Sequence, residues 1–221
     1  KPDFIFGNKG TNSTYQGSPE SPARMFINDF DDNGTIDQIL TRYIDKKDRP
    51  VHVRNELAHQ ISKIKKENLQ FSQYAKKGIR DLFSSTLVDN SIRKEVVESK
   101  TLLLINKGEN QFETKDLPSQ VQWNSVNAGV VSDFNQDGLQ DVLLSGGEDN
   151  LKPQFAKLDA GFGELLLGDG KGNFEWIPYI KSGLKVRGTV RESTILRLGT
   201  EGKKMIVFGV NDNRPVFYVY K

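Results

Sequence analysis

A nine-residue pattern of oxygen-bearing side chains occurs twice in the chain. The first copy runs from Asp29 to Asp37 and the second from Asp133 to Asp141. In both copies positions 1, 3, 5 and 9 carry Asp or Asn, and position 6 is Gly. Alternate side chains of such a loop point their oxygens inward, and glycine permits the sharp turn that wraps the loop around a hard cation. The pattern predicts a Ca²⁺ site in each copy, and its repetition indicates an internally repeated fold.

Each loop offers four side-chain ligands and one backbone carbonyl, that of position 7. The predicted ligands are Asp29, Asp31, Asn33, Thr35 (carbonyl) and Asp37 in the first loop, and Asp133, Asn135, Asp137, Leu139 (carbonyl) and Asp141 in the second. An ordinary Asp/Asn/Gly hairpin turn without a metal is the alternative. We expect calcium, because clustered carboxylates repel one another unless a cation neutralises them.

The surroundings of the two loops differ from those of an EF-hand. An EF-hand has a bidentate Glu at position 12 and a helix on each side. Position 12 here is Leu40 in one copy and Leu144 in the other. The flanking residues are short β-branched and aliphatic runs, which favour strands: 25–27, 39–40, 130–131 and 142–144. We therefore predict that each loop joins two strands of a hairpin.

A second element, an apolar run followed by a Gly/Asn turn, recurs three times. It occupies residues 4–10, 102–108 and 165–170, and in the last two copies Phe112 or Phe174 restarts an outer strand. Four antiparallel strands per repeat predict the blade of a β-propeller. A final repeat without an acidic loop covers 188–198, 205–210 and 216–220. We expect no metal there.

The DF-x-x-x-G-x-x-D-x-L pattern and the LLLGDGKGNF segment resemble the FG-GAP/VCBS-repeat β-propellers, the calcium-binding family that includes the integrin α-subunit head. The match is closest to the C-terminal part of large secreted propellers of Bacteroidota. The literal FG…GAP signature is absent, and only Ala128-Gly129-Val130 precedes the second loop. The resemblance implies a mainly β fold with about three propeller blades.

Three blades are fewer than the roughly four that a closed propeller needs. We therefore expect a fragment of a larger propeller, with the remaining blades of the same protein as its neighbours. The alternative is a small open or oligomerising array with exposed sheet edges. Calcium loops of modest charge suit millimolar extracellular calcium. We expect an extracellular or bacterial cell-surface protein, including an outer-membrane lipoprotein, ahead of a periplasmic one.

Residues 50–98 interrupt the β pattern of a partial propeller that otherwise spans 1–221. Leu57, Ile61 and Ile64 recur at helical spacing. The segment predicts two to four helices as an insertion. It either covers an exposed sheet edge or docks a partner, and the sequence leaves both roles open.

The composition of the chain excludes some classes of function. The net charge of +2 gives no field that would attract nucleic acid, and the chain has no cysteine for thiol chemistry. No run of about 18 apolar residues predicts a transmembrane segment. We expect a module that binds a protein or glycan partner, with structural metals. The alternative is part of a calcium-dependent, lyase-like polysaccharide-processing enzyme whose catalytic groups lie outside this segment, since no acid/base pair stands out here.

Overall fold

The computed structural model describes residues 1–152, 155–199 and 202–220. The fold is mainly β, as expected, with several antiparallel sheets, none of which closes on itself within the described residues. The chain divides into two compact units. The large unit comprises residues 1–14 and 99–221, and the small unit comprises residues 15–98.

The elements follow one another in this order: β1 (Phe4–Phe6), β2 (Ala23–Asn28), β3 (Asp37–Ile44), β4 (Lys47–Pro50), α1 (Arg54–Gln60), α2 (Lys63–Glu67), α3 (Phe71–Tyr74), α4 (Ile79–Leu82), α5 (Ser85–Asp89), β5 (Ile92–Val96), β6 (Leu102–Gly108), β7 (Gln111–Asp116), a 3-10 helix (Ser119–Trp123), β8 (Val126–Ser132), β9 (Asp141–Gly146), β10 (Glu164–Gly168), β11 (Phe174–Ile177), α6 (Tyr179–Ser182), β12 (Val190–Leu198), β13 (Lys203–Val210) and β14 (Val216–Tyr220).

The described residues of the large unit form three antiparallel sheets. Their strand orders are β1-β6-β7 in the N-terminal sheet, β11-β10-β9-β8 in the central sheet and β12-β13-β14 in the C-terminal sheet. Successive residues of a strand face opposite sides of its sheet. Val142 and Leu144 therefore join the core shared with the N-terminal sheet, and Leu143 joins the core shared with the C-terminal sheet. All of β9 is consequently buried.

The small unit combines one four-stranded sheet, in the order β4-β3-β2-β5, with helices α1 to α5. Phe26, Phe30 and Ile39 contribute the sheet side of its core. Most of the remaining core residues come from the helical segment, among them Leu57 and Ile61. The helices thus bury one apolar face of the sheet.

The strands predicted on both sides of each acidic loop are confirmed, since they lie in β2, β3, β8 and β9. The structure differs within the predicted insertion at 50–98. Five short helices occupy 54–89, rather than two to four, and residues 92–96 form β5, which pairs with β2. The sequence Ile-Arg-Lys-Glu-Val of β5 is exposed throughout. Only the backbone pairing with β2 marks it as a strand, and this pairing has no sequence pattern.

Candidate metal centres

The residue at position 1 holds each acidic loop closed through backbone N–H groups. In the first loop the N–H groups of Asn33 and Gly34 donate to the Asp29 carboxylate at 3.1 and 2.7 Å. In the second loop Asp137 and Gly138 donate to Asp133 at 3.1 and 2.9 Å. The two loops therefore share one hydrogen-bond frame.

The last residue of each loop is a buried carboxylate. Asp37 is 1% exposed and Asp141 is 0% exposed. The N–H of Phe30 donates to Asp37 Oδ2 at 2.9 Å, and that of Phe134 donates to Asp141 Oδ2 at 2.8 Å. A buried carboxylate is stable only with such compensating donors or a cation.

The backbone conformations also repeat. Position 4 has a positive φ in both loops, 58° at Asp32 and 64° at Gln136. Position 6 is glycine with a φ of 82° at Gly34 and 85° at Gly138. Left-handed conformations favour glycine and are tolerated by short polar side chains. The two loops are thus copies of one structure and not merely similar in composition.

The first loop gathers three carboxylates. One oxygen each from Asp29, Asp31 and Asp37 lies within 4.8 Å of the others. Asp31 Oδ1 is buried and has no hydrogen-bond partner. Hydrogen bonds from backbone N–H groups, above all that of Gly34, hold the pKa of Asp29 below its usual value. An unpartnered buried oxygen beside two further carboxylates fits a bound Ca²⁺.

The second loop differs at position 3. Asn135 stands where the first loop has Asp31, and its Nδ2 donates to Asp137 Oδ2 at 2.8 Å. Asn135 Oδ1 accepts from the Asp137 N–H at 3.1 Å, so both ends of this amide are bonded to Asp137. Within the described residues, the acidic side chains of this loop do not converge as those of the first loop do. The first loop is therefore the better prepared of the two sites.

Thr35 and Leu139, the predicted carbonyl ligands at position 7, are held in place through their N–H groups. Thr35 donates to Asn33 Oδ1 at 2.7 Å, and Leu139 donates to Asp137 Oδ1 at 2.8 Å. This fixes position 7 relative to position 5 in both loops. Ligation by the two carbonyl oxygens stays a prediction.

Position 2 anchors each loop in a core. Phe30 is fully buried, with its ring centre 4.6 Å from that of Phe83. The ring centre of Phe134 lies 4.9 Å from that of Tyr220. Lys63 of α2 donates to the carbonyl of Phe30 at 2.5 Å. Sequence reasoning missed Lys63, because nothing in a lysine-rich helix indicates which lysine folds back on a distant loop.

A half-buried acidic group outside the loops, Glu164, was also missed. Trp176 Nε1 donates to Glu164 Oε2, and burial raises the pKa of Glu164. Both Glu164 and Asn124, whose Oδ1 is buried without a partner, line a cavity of about 10 Å³. That volume suits a single water molecule and excludes a sugar ring. No pattern in the sequence indicates this site, since Glu164 begins an ordinary apolar strand.

A larger pocket of about 730 Å³ lies between the N-terminal and central sheets. Ile5, Ile105 and Phe174 line its apolar walls, and Leu139 brings the second acidic loop to its border. Ligand pockets typically measure about 300–1,000 Å³ and are mostly apolar. The pocket therefore has the size and lining of a binding site.

Comparison of the chain with family models, curated proteins and solved structures gives no match. In the described ranges, every helix is too short or too polar to cross a membrane.

Proposed function

We propose that each acidic loop binds one Ca²⁺. Each ion would stabilise the sheet whose two strands its loop connects. The repeated hydrogen-bond frame carries the proposal. Two loops far apart in sequence share their donors, their positive-φ positions and their buried final carboxylate. The unpartnered Asp31 Oδ1 supports a cation in the first loop.

The role of the metal is structural. In the first loop it would be held by Asp29, Asp31, Asn33, Asp37 and the carbonyl of Thr35. In the second loop it would be held by Asp133, Asn135, Asp137, Asp141 and the carbonyl of Leu139. A bound cation supplies positive charge that offsets the repulsion among these carboxylates. Because Phe30 and Phe134 tie the loops to their cores, ordering a loop also stabilises the packing behind it.

We propose further that the sheets of the large unit are blades of an FG-GAP/VCBS-type propeller, and that the chain belongs to an extracellular or cell-surface module that binds a protein or glycan. Strands joined by the acidic loop pair as neighbours in both units, as the blade model requires. The pocket of about 730 Å³ beside Leu139 offers a binding surface.

Calcium titration of the full chain tests the metal sites. After chelation, isothermal titration should show two sites for Ca²⁺ and weaker binding of Mg²⁺, which tolerates irregular oxygen ligation poorly. Added Ca²⁺ should raise the melting temperature, because it binds only the folded state. Asp29→Ala and Asp133→Ala should each remove one site. No binding heat, together with unchanged melting in excess chelator, would contradict the proposal.

A glycan array probed with the full chain, with Ca²⁺ and with chelator, tests the binding role. Binding that Phe174→Ala weakens in folded protein would support the pocket as the site. Exposed Phe112→Ala, on the face of the N-terminal sheet away from the pocket, is the matched control. If no glycan binds, a protein partner is the remaining ligand class.

A further inference from the structure

A lysine ammonium group is held at the beginning of the first acidic loop. Lys63 donates to the carbonyl of Phe30, which is position 2 of the loop, and its Nζ lies 5.2 Å from the ring centre of Phe83. That ring packs on Phe30 itself, with 4.6 Å between the two ring centres. Because the face of an aromatic ring attracts a cation, the ring and the carbonyl together fix the ammonium beside the loop.

The second acidic loop has the same arrangement, built from other residues. Lys204 donates to the Oγ of Ser132, directly before position 1, at 3.2 Å. Its Nζ lies 5.6 Å from the ring centre of Tyr220, which packs on Phe134 at position 2. Tyr220 donates to the same Ser132 Oγ at 3.0 Å. A lysine, an aromatic ring and the phenylalanine of position 2 thus occur together at both loops. We call Lys63 and Lys204 the loop lysines.

The loop lysines come from different kinds of element. Lys63 lies on helix α2, 33 residues after Phe30, whereas Lys204 lies on strand β13, 72 residues after Ser132. The internal repeat does not account for them, because a shared repeat would place both lysines on the same element. Delivery of one chemical group to one place by two unrelated elements indicates that each loop needs a positive charge there.

Lys204 occupies a position that is otherwise unfavourable for a lysine. Ile206 and Phe208 of β13 point into the core shared with the central sheet, and alternation along the strand puts Lys204 on the same side. A charge turned toward a core needs a partner that compensates for its lost hydration. The carboxylates of the second acidic loop are the negative groups closest in sequence to its contact at Ser132.

Each ammonium reaches its loop through a neutral oxygen, a carbonyl at Phe30 and a hydroxyl at Ser132. The carboxylate oxygens therefore stay available to a metal ion while a positive charge remains nearby. We propose that the loop lysines are fixed counter-charges, which stabilise the metal-free loops and weaken their binding of Ca²⁺. This inference rests on the Ca²⁺ sites proposed above.

The direction of both effects follows from electrostatics. Without metal the clustered carboxylates repel one another, and a positive charge beside them reduces that repulsion. With Ca²⁺ bound, the same positive charge repels the ion. A loop built in this way keeps its shape at low Ca²⁺ and binds the ion weakly, which suits the dissociation constants of about 10⁻⁴–10⁻³ M of extracellular calcium modules.

Neutral variants of the loop lysines test the proposal. Lys63→Gln and Lys204→Gln keep a side-chain donor but remove the charge. Calorimetric titration of the full chain should show Ca²⁺ binding that is roughly three- to tenfold tighter at the affected loop, because the ammonium no longer repels the ion. Backgrounds of Asp133→Ala for the first loop and Asp29→Ala for the second leave one site each, so the change is assigned to its loop. In excess chelator both glutamine variants should melt at a lower temperature than the wild type.

Charge-matched controls separate a local effect from the change in net charge. Lys65→Gln, at an exposed lysine of α2, and Lys203→Gln, at the exposed neighbour of Lys204 on β13, remove the same charge. Both should bind Ca²⁺ and melt like the wild type. Lys63→Arg and Lys204→Arg keep the charge and should also retain the wild-type affinity. Circular dichroism shows whether each variant is folded. For a variant that unfolds in chelator, melting at a series of Ca²⁺ concentrations gives the affinity instead.

The outcomes distinguish this inference from the Ca²⁺ sites on which it rests. Weaker or unchanged Ca²⁺ binding by the glutamine variants would overturn it and would show that the lysines only hold the loops in position. Equal tightening by Lys65→Gln and Lys203→Gln would overturn it too, since net charge would then explain the effect. A wild type that binds no Ca²⁺ is a separate result, which would contradict the Ca²⁺ sites themselves and this inference with them.

Discussion

Gly168 donates its N–H to Asp141 Oδ1 at 3.0 Å, which ties the last carboxylate of the second acidic loop to the end of β10. The other oxygen of Asp141 accepts from Phe134, at the beginning of the same loop. A carboxylate that is 0% exposed thus joins the loop, β9 and β10. The loop belongs to the framework of the central sheet, which accords with a structural metal.

Asp31→Asn should weaken Ca²⁺ binding to the first loop and leave the metal-free protein as stable as the wild type or more stable. The change removes one of three carboxylates that lie within 4.8 Å of one another, so it reduces both the attraction for a cation and the repulsion without one. Calorimetric titration and melting in chelator would measure the two effects.

The matched exchange is Asn135→Asp at position 3 of the second loop. It adds the carboxylate that the first loop already has, so it should tighten Ca²⁺ binding and lower the melting temperature in chelator. The two exchanges should therefore change the Ca²⁺ affinity in opposite directions. A change of affinity in the same direction for both variants would contradict a shared metal geometry.

Gly34→Ala and Gly138→Ala should destabilise the protein by similar amounts, about 1–2 kcal/mol, since each forces alanine into a left-handed conformation. A Cβ at either position meets no atom within 4 Å, so strain is the only cost. Gly168→Ala should cost more, because its Cβ would lie 2.2 Å from the carbonyl oxygen of Gln140. Urea unfolding of the three variants in the presence of Ca²⁺ would rank them.

Glu164→Gln should raise the melting temperature at pH 8 but not at pH 4. Burial raises the pKa of Glu164 above 4.5, so ionisation is disfavoured in the folded state. The stability of the wild type therefore falls as pH rises from about the unfolded pKa through the raised folded pKa, and this loss is absent in the variant. Melting curves from pH 4 to 8 would check it. Glu175→Gln, at an exposed glutamate of β11, should show no such divergence from the wild type.

Leu57→Ala should destabilise the small unit by about 2–5 kcal/mol, the usual cost of emptying a core site. Leu57 is fully buried, whereas Leu69, which is 79% exposed, provides a near-neutral control as Leu69→Ala. Both tryptophans lie in the large unit, so their fluorescence follows that unit, while circular dichroism follows both. The loss of stability should be clearer in unfolding followed by circular dichroism than in unfolding followed by tryptophan fluorescence. A negligible effect would argue against helices that cover the sheet and for a docking role.

Local sequence determined the acidic loops, their flanking strands and the three strands of the C-terminal sheet. Each of these features depends on neighbouring residues: Asp29 and Gly34 close a loop over six positions, and short continuous apolar runs identify β9 and β13. The ligand set also comes from one local pattern, oxygen-bearing side chains at alternate positions, and it stays a prediction.

Only the tertiary structure decided what lies far apart in sequence. The pairing of β5 with β2 spans the five helices, and β1 pairs with β6 across the whole small unit. Neither pairing has a local pattern, because backbone hydrogen bonds between strands are independent of side-chain identity. The contact of Lys63 with Phe30 and that of Glu164 with Trp176 likewise join residues from different elements of the fold. Residue spacing along the chain specifies which atoms are near in one element, whereas packing between elements specifies which charges are buried and which faces stay exposed.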